Sequence, residues 1–451
     1  MRLAWFSPTP PARTGIAACS ADLLGALAVD HDIDLYVDEP LVQLTRAAAR
    51  RGTHPAPTSA HDFVWRHARD PYDLTVYQLG NSSHHDYQWP YLFRYPGLAV
   101  LHDAHLHHAR AAALLRERRA SHYRDEFAAN AAEVSRDAAE LAIAGFDSAM
   151  YYEWPFTHLV VRTSRATAVH SPVVRRWLRG EHPGATVEFV RLGHGTSIGP
   201  DEVAARGAAA RARLGIPAGA ILFGCFGGIA PEKRVPQILK AFEAVLAYVS
   251  SARLLLAGPV APHYDLGADL ARQPLRDRVV ATGYVSDEDL TAGIAACDVT
   301  LNLRWPTARE ISGPWLRCLA AGRPSIIVDL AQTSHVPALD PRTWTATGDG
   351  RAEPVSVAVD ILDEEHSLRL AMRRLGTDAA LRGRLGEAAR RYWTEHHEQA
   401  GMVADYQRVL RQAASAPVLD VPLPAHLRDD RTGALAAMLA PFGVPAPWSK
   451  I

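Results

Sequence analysis

The sequence predicts an α/β protein in two halves, each a parallel sheet covered by helices, and three observations carry that expectation. The chain has 451 residues, too many for one ordinary core when domains run to about 100–200 residues. Short apolar runs alternate with helix-like segments, the pattern of parallel strands joined by crossover helices. That alternation stops at a polar, alanine-rich break and then begins again, which makes two α/β halves rather than one long sheet.

In the first half the strands fall at residues 3–6, 33–37, 74–79, 99–101 and 166–169. Ser171 before Pro172 opens a helix over VVRRWL, with an N-cap hydroxyl and a proline at the first helical position. Between 110 and 146 the pattern lengthens into helix: Phe127, Ala131, Val134, Ala138 and Leu141 recur at steps of four and three, so one narrow face is buried. Arg110, Arg116, Arg118, Arg119 and Arg124 crowd the start of this stretch. They read first as a solvated face, with peripheral contact to an anionic membrane surface as the alternative. The break follows Leu192-Gly193-His194-Gly195, in the glycine-punctuated run TSIGPDEVAARGAAARARLGIPAG. Second-half strands follow at 221–226, 254–257, 279–282, 299–303 and 325–328. Residues 379–414 are helical again, interrupted near 392–397, and the tail beyond is proline-rich with one short helical piece. The expected domains are 1–198, 199–394, and a terminal helix and tail over 395–451.

Composition narrows the function classes. Hydrophobic residues at 48 % and charged residues at 22 % exclude wholesale disorder and a disulfide-dense mini-scaffold. A net charge of −1 gives no global field towards nucleic acid, so any polyanion site is local. Lysine occurs only at Lys233, Lys240 and Lys450, which makes each one worth inspecting. The alanine- and arginine-rich usage hints at a bacterial source. Cys19, Cys225, Cys297 and Cys318 show no metal-ligand spacing and sit in apolar contexts, as buried reduced thiols of a cytoplasmic protein would. Proline follows only seven residues into the chain, too early for a signal-peptide apolar region. No apolar run approaches the ~18–20 residues of a membrane span.

Three segments can carry chemistry. The turn Ser7-Pro8-Thr9-Pro10-Pro11-Ala12-Arg13-Thr14-Gly15 opens a helix at its glycine, where a phosphate can approach free N–H groups; an ordinary proline-stiffened loop is the alternative. Phe226-Gly227-Gly228-Ile229-Ala230-Pro231-Glu232-Lys233-Arg234 follows the first strand of the second half and precedes a helix, as a diphosphate cradle would. Arg304 to Gly313 follows the strand at 299–303, and its Glu310 sits where ligands of open α/β sheets bind and can accept bonds from sugar hydroxyls. A capping or arginine-paired glutamate is the plainer reading of Glu310.

Taken in order, these segments resemble glycosyltransferase family 4 of the GT-B fold. SPTPPARTGIA comes first, then LGNSSHHDY and YPGLAVLHD, TAVHS, FGGIAPEKR, VVATGYVSDEDLTAGIAACDVTLNLR and REISGPWLRCLAAGRP. The resemblance implies two Rossmann-like parallel-sheet domains facing a central cleft, with the chain returning to the first domain near Glu395, His396 and His397. It implies a retaining transfer of sugar from a nucleotide-diphosphate sugar to a hydroxyl acceptor, with no cofactor and no essential metal. His102, Glu310 and Lys233 are the implied catalytic residues. Gly15, Gly227, Gly228, Lys233, Arg309, Glu310, Ser312, Gly313 and Cys318 fall on donor-binding positions, and Thr14, Asn81, His84, His85 and Asp103 on the acceptor side.

The chain departs from the family pattern at three places. The second glutamate of the family's Glu-x7-Glu pair is Cys318, a poor ribose ligand. The usual Gly-Arg-Leu is Gly227-Gly228-Ile229, which removes a diphosphate cation, and Arg309 is expected to supply the missing charge. These losses keep two other functions in view: a GT-B protein without turnover that binds sugar or nucleotide as a partner, and a nucleotide-sugar epimerase. Asp287-Glu288-Asp289 looks like a metal-binding DxD, but Ser286 before it reads better as a helix N-terminus. His105, His107 and His108 beside His102 match no complete zinc ligand set.

Overall fold

The computed structural model describes residues 1–38, 55–134, 136–146, 150–271, 273–347, 352–429 and 432–443. The chain forms two compact units. Met1–Val190, Ala308–Glu310 and Val403–Ile451 make the first, and Arg191–Thr307 with Ile311–Met402 the second.

The first unit holds β1 (Arg2–Phe6), β2 (Asp32–Val37), β3 (Pro57–Ser59), β4 (Leu74–Leu79), β5 (Leu98–Leu101), β6 (Ala166–Val169) and β7 (Val187–Phe189). They lie in the order β3-β2-β1-β4-β5-β6-β7, and every pair is parallel. β4, β5 and β6 are buried along their whole length, as strands covered on both faces are. The order runs one way from β1 and the other way from β4, so the carboxyl ends of those two strands flank a topological switch point.

In the second unit β8 (Leu222–Phe226), β9 (Arg253–Ala257), β10 (Val279–Gly283), β11 (Val299–Asn302), β12 (Ser325–Val328), β13 (Ala338–Leu339) and β14 (Ser356–Val359) form the order β10-β9-β8-β11-β12-β14-β13, again all parallel. Its switch point lies between β8 and β11. The expected strands are all present. β3, β7 and β13 are edge strands of two or three residues, too short to show a pattern. Buried β14 alternates serine and alanine with valine and lacks the continuous apolar run of its neighbours.

One expectation is corrected. Residues 110–146 are three short helices, His107–Arg116, Ala120–Asn130 and Asp137–Ile143, instead of one long helix. Arg118 takes a positive φ of 57°, and Ala131 leaves the helix with φ −139°. Ala111, Leu114, Tyr123, Phe127, Ala139, Ala142 and Phe156 build their shared core, while Leu141 is 51 % exposed. A side-chain period that crosses two breaks no longer marks a single face.

The arginines of this region are engaged. Arg110 is buried, donates through Nε to Glu126 Oε2 at 2.7 Å, and lies over the Trp89 ring at 4.6 Å. Arg116 pairs with Asp86, Arg119 with Glu117 and Arg124 with Glu140. The tail joins here: His426 Nε2 lies 2.8 Å from Glu126 Oε1, and Leu423 and Leu427 pack on the first core. Tail residues 430, 431 and 444–451 lie outside the described residues. Removing one partner of a buried ion pair strands the other charge, at a cost of about 3–5 kcal/mol. Glu126→Ala is therefore expected to lower the denaturant midpoint of the first unit sharply, and Arg110→Met with Glu126→Leu to restore most of it. A single variant as stable as the double one would show that the pair is solvated.

Candidate active site

In the second unit the site is built where β8 ends. Gly227 has φ +92°, a conformation that favours glycine, and its N–H donates to Ala257 O at 3.0 Å. A β-carbon on Gly258 would lie 1.9 Å from Gly227 O, so two glycines allow the ends of β8 and β9 to meet. The next turn, Pro231–Lys233, brings the lysine back to the strand end: a β-carbon on Gly227 would lie 3.5 Å from Lys233 Nζ and 3.6 Å from Pro314 Cγ. Pro314 belongs to the first turn of the helix Gly313–Ala320, which Ser312 caps by accepting from Trp315 N at 3.4 Å. Trp305 N donates to Glu232 O at 2.8 Å and ties the loops after β8 and β11 together. A flexed glycine turn, an ammonium and a helix N-terminus thus converge, and all three favour an anion. Gly228 would meet nothing within 4 Å of an added β-carbon.

The first unit assembles a second cluster at its own switch point. Thr14 caps the helix Gly15–Leu27 by accepting from Ala17 N at 3.0 Å, and a β-carbon on Gly15 would meet nothing within 4 Å. After β4, a β-carbon on Gly80 would stand 2.4 Å from Ile16 Cδ1 and 2.9 Å from His85 Nε2, so glycine lets these side chains close over the strand end. Asn81 N donates to Asp103 Oδ2 at 2.6 Å, and Asn81 Oδ1 accepts from Ala109 N at 2.8 Å. His102 follows β5 with its Nε2 2.7 Å from Gln78 Oε1 and its ring 4.6 Å from that of His170. Gln78 Oε1 also accepts from Tyr406 OH at 3.3 Å. Ala308–Glu310 belongs to this unit: Ala308 O accepts from Ala104 N at 2.8 Å and His105 N at 3.1 Å. Burial pushes His105 down to about 4; the Arg309 charge pushes the same way and Glu310 opposes it.

Comparison with known proteins places this geometry. Anabaena HepE in complex with UDP and glucose shares the fold at a TM-score of 0.61 and 13 % identity, covering 91 % of this chain and 99 % of that one. Sucrose-phosphate synthase from Thermosynechococcus elongatus aligns at 0.57 with 16 % identity over 91 % and 98 % of the two chains. A glycosyltransferase from Rickettsia africae aligns at 0.60 with 11 % identity over 92 % and 98 %. At these identities the likeness speaks to fold. No curated protein matches the chain in sequence. Residues 220–348, which carry the Gly227 turn, Lys233 and Glu310, match the family described as Glycosyl transferases group 1. The chain has the two-sheet GT-B fold, and its residues 220–348 match a glycosyltransferase domain family.

Several of the expected site residues are engaged by other parts of the protein. Cys318 is fully buried, its Sγ 4.0 Å from Asn302 Oδ1 and its thiol pushed up to about 12 by burial, so it packs the core instead of touching a ribose. His85 is buried as well, with Nδ1 2.8 Å from Gln78 O, and burial holds it down to about 4; the exposed neighbour on that turn is His84. Arg309, at φ 59°, lays its guanidinium over the Trp177 ring at 3.9 Å, a cation–π contact within the first unit. Arg234 donates through Nε to Glu364 Oε1 at 2.7 Å and is likewise a structural cation. The Asp287-Glu288-Asp289 run begins the helix Asp287–Ala296: Ser286 Oγ accepts from Asp289 N at 3.1 Å, Asp287 pairs with Arg317, and Asp289 with Arg213.

Gln78, Trp177 and Tyr406 were not among the expected residues. A signal for Gln78 exists, since one amide in the otherwise apolar-facing strand LTVYQL must find partners when buried. Trp177 and Tyr406 carry none, because each meets its partner only through the tertiary fold.

Proposed function

We propose that this protein is a glycosyltransferase that works in the manner of family 4: it transfers a sugar from a nucleotide-diphosphate sugar to a hydroxyl acceptor, with retained configuration and without an essential metal. The observation that carries the reading is the convergence of the Gly227 turn, Lys233 Nζ and the start of the helix Gly313–Ala320. As the bond between the sugar's anomeric carbon and the diphosphate breaks, its electron pair leaves with the diphosphate, and negative charge grows on the phosphate oxygens. Lys233 and the positive end of the helix meet at the strand end, where they would stabilise such charge and lower the barrier. Glu310 accepts from donor sugar hydroxyls, which fixes the sugar for attack. The acceptor hydroxyl bonds to the anomeric carbon from the face the diphosphate leaves, and its proton passes to a departing phosphate oxygen. His102, which the family resemblance makes a catalytic residue, is held by Gln78 within the first unit.

The engagement of Asp287 and Asp289 with Arg317 and Arg213 supports a metal-free reaction, because the acidic run is already committed to cations of the protein. The ion pairs of Arg116, Arg119 and Arg124 favour a solvated face over a membrane-bound one. The Anabaena protein bound to UDP-glucose makes UDP-sugars the first donors to try.

The test is donor hydrolysis with EDTA present, using UDP-, GDP-, ADP- and dTDP-sugars and following nucleotide release and the anomer of the freed sugar. One nucleotide is expected to be released slowly with the sugar's configuration kept, and Glu310→Ala to slow release about 10–100-fold, the size of one or two hydrogen bonds to a charged group. Inverted sugar would overturn retention, and loss of release in EDTA would overturn metal independence. Tight binding of a nucleotide sugar with no turnover, even with hydroxyl acceptors supplied, would favour the partner-protein reading.

A further inference from the structure

The second unit contains a cavity of about 700 Å³ that the proposed reaction does not use. Asp298, just before β11, and Pro324, just before β12, line it, so it opens at the amino edge of the sheet. The Gly227 turn and Lys233 follow the carboxyl end of β8, at the other edge. Its volume suits a small molecule, since ligand pockets run from about 300 to 1,000 Å³.

The charge on its wall is unusual in how it is held. Arg323 donates to Ala295 O, Arg390 to Ala321 O at 3.1 Å, and Arg382 to Leu375 O at 2.7 Å. All three acceptors are main-chain carbonyls near helix C-termini, and none of the three guanidinium groups pairs with a carboxylate among the described residues. The nearby carboxylate is already spent: Asp298 Oδ2 accepts from Arg211 at 2.6 Å and from Leu222 N at 2.7 Å. Arg391, also on the wall, pairs outward with Glu353 at 2.6 Å. Glu387 and Glu395 line the cavity from exposed positions on the helix Ala379–His396. Arg323 Nε and Arg390 Nε are buried with no hydrogen-bond partner among the described residues. Half-buried guanidinium groups that repel one another without a paired carboxylate are costly unless an anion joins them. Burial pushes Arg323 below its ordinary range; Cys297 and Asp298 oppose that push, and Arg211 and Arg390 add to it.

We propose that this arginine-walled cavity binds a small phosphate-bearing molecule at a second site, on the opposite edge of the sheet from the donor corner. A phosphate monoester supplies two charges and several acceptor oxygens to planar guanidinium forks, and the remaining volume takes its organic part. The glutamates at exposed positions disfavour larger polyanions.

Titration calorimetry at fixed ionic strength tests the assignment, with inorganic phosphate and glucose 6-phosphate as probes. Wild-type protein and Lys233→Ala are expected to bind glucose 6-phosphate saturably and equally. Arg390→Gln is expected to weaken binding at least 10-fold. Thr394→Trp fills the cavity without removing an arginine and is expected to do the same, so it decides the matter if Arg390→Gln fails to fold. Equal affinity for inorganic phosphate would assign the site to free phosphate. No saturable binding, binding unchanged by both cavity variants, or binding lost in Lys233→Ala would overturn the proposal.

Discussion

Lys233→Ala is expected to weaken nucleoside diphosphate binding about 10–100-fold, while Lys240→Ala leaves it unchanged. A charge-assisted hydrogen bond contributes about 1.5–3 kcal/mol, and each ~1.4 kcal/mol is a factor of ten. The lysine carries this weight because the other cations the motifs offer are engaged elsewhere. Gly228 stands where the family has a diphosphate arginine, Arg234 is held by Glu364, and Arg309 lies on Trp177. Lys240 pairs with Glu365 on an exposed helix face and serves as the control for simple loss of charge. Turnover should fall further than binding, by about 100–1,000-fold, because the diphosphate gains charge in the transition state. Calorimetry with UDP, GDP and ADP, followed by turnover of the donor so found, measures both. Equal affinities for the two lysine variants would remove Lys233 from the donor site.

A steep loss of stability between pH 6.5 and about 4 is the second large effect, and it belongs mainly to the first unit. Burial holds His85, His105, His170 and His182 down to about 4 and His107 down to about 3. In the second unit burial does the same to His194 and His397, both to about 4. The unfolded chain takes up a proton at each of these imidazoles near pH 6.5, whereas the folded chain resists until about pH 4. The unfolded state therefore binds more protons throughout that window. Stability is fully present above pH 6.5 and falls as pH drops, by about 1.4 kcal/mol per unit for each histidine. Denaturant melts from pH 8 to 4.5 should show a flat upper range and then a fall, with the first unit lost before the second. His107 sits with its ring 3.9 Å from that of Phe156 and its Nε2 2.8 Å from Tyr123 OH, so His107→Phe should flatten the slope by about one proton. A profile that stays level down to pH 4.5 would falsify this account.

Much of the fold was legible because buried parallel strands announce themselves. β4, β5, β6 and β12 read as short apolar runs between turn signals, and Ser171 and Ser286 marked helix starts that the structure caps as expected. The three-helix region was legible only in part, since periodicity records which residues are apolar and not where the backbone turns at Arg118 and Ala131.

The same division runs through the site. By itself the sequence determined the positions of Gly227, Lys233, Ser312 and Glu310 at the carboxyl ends of strands, because local chain geometry places loop residues once the strands are known. The family resemblance it carries also implied that Cys318 stands where a second glutamate is usual. Only the tertiary structure decided that the Cys318 thiol is sealed in the core, that Arg309 stacks on Trp177, and that Gln78 holds both His102 and Tyr406. These outcomes depend on partners far apart in the chain: burial and pairing come from packing, and a side chain's neighbours across a fold leave no mark on the spacing of its own segment.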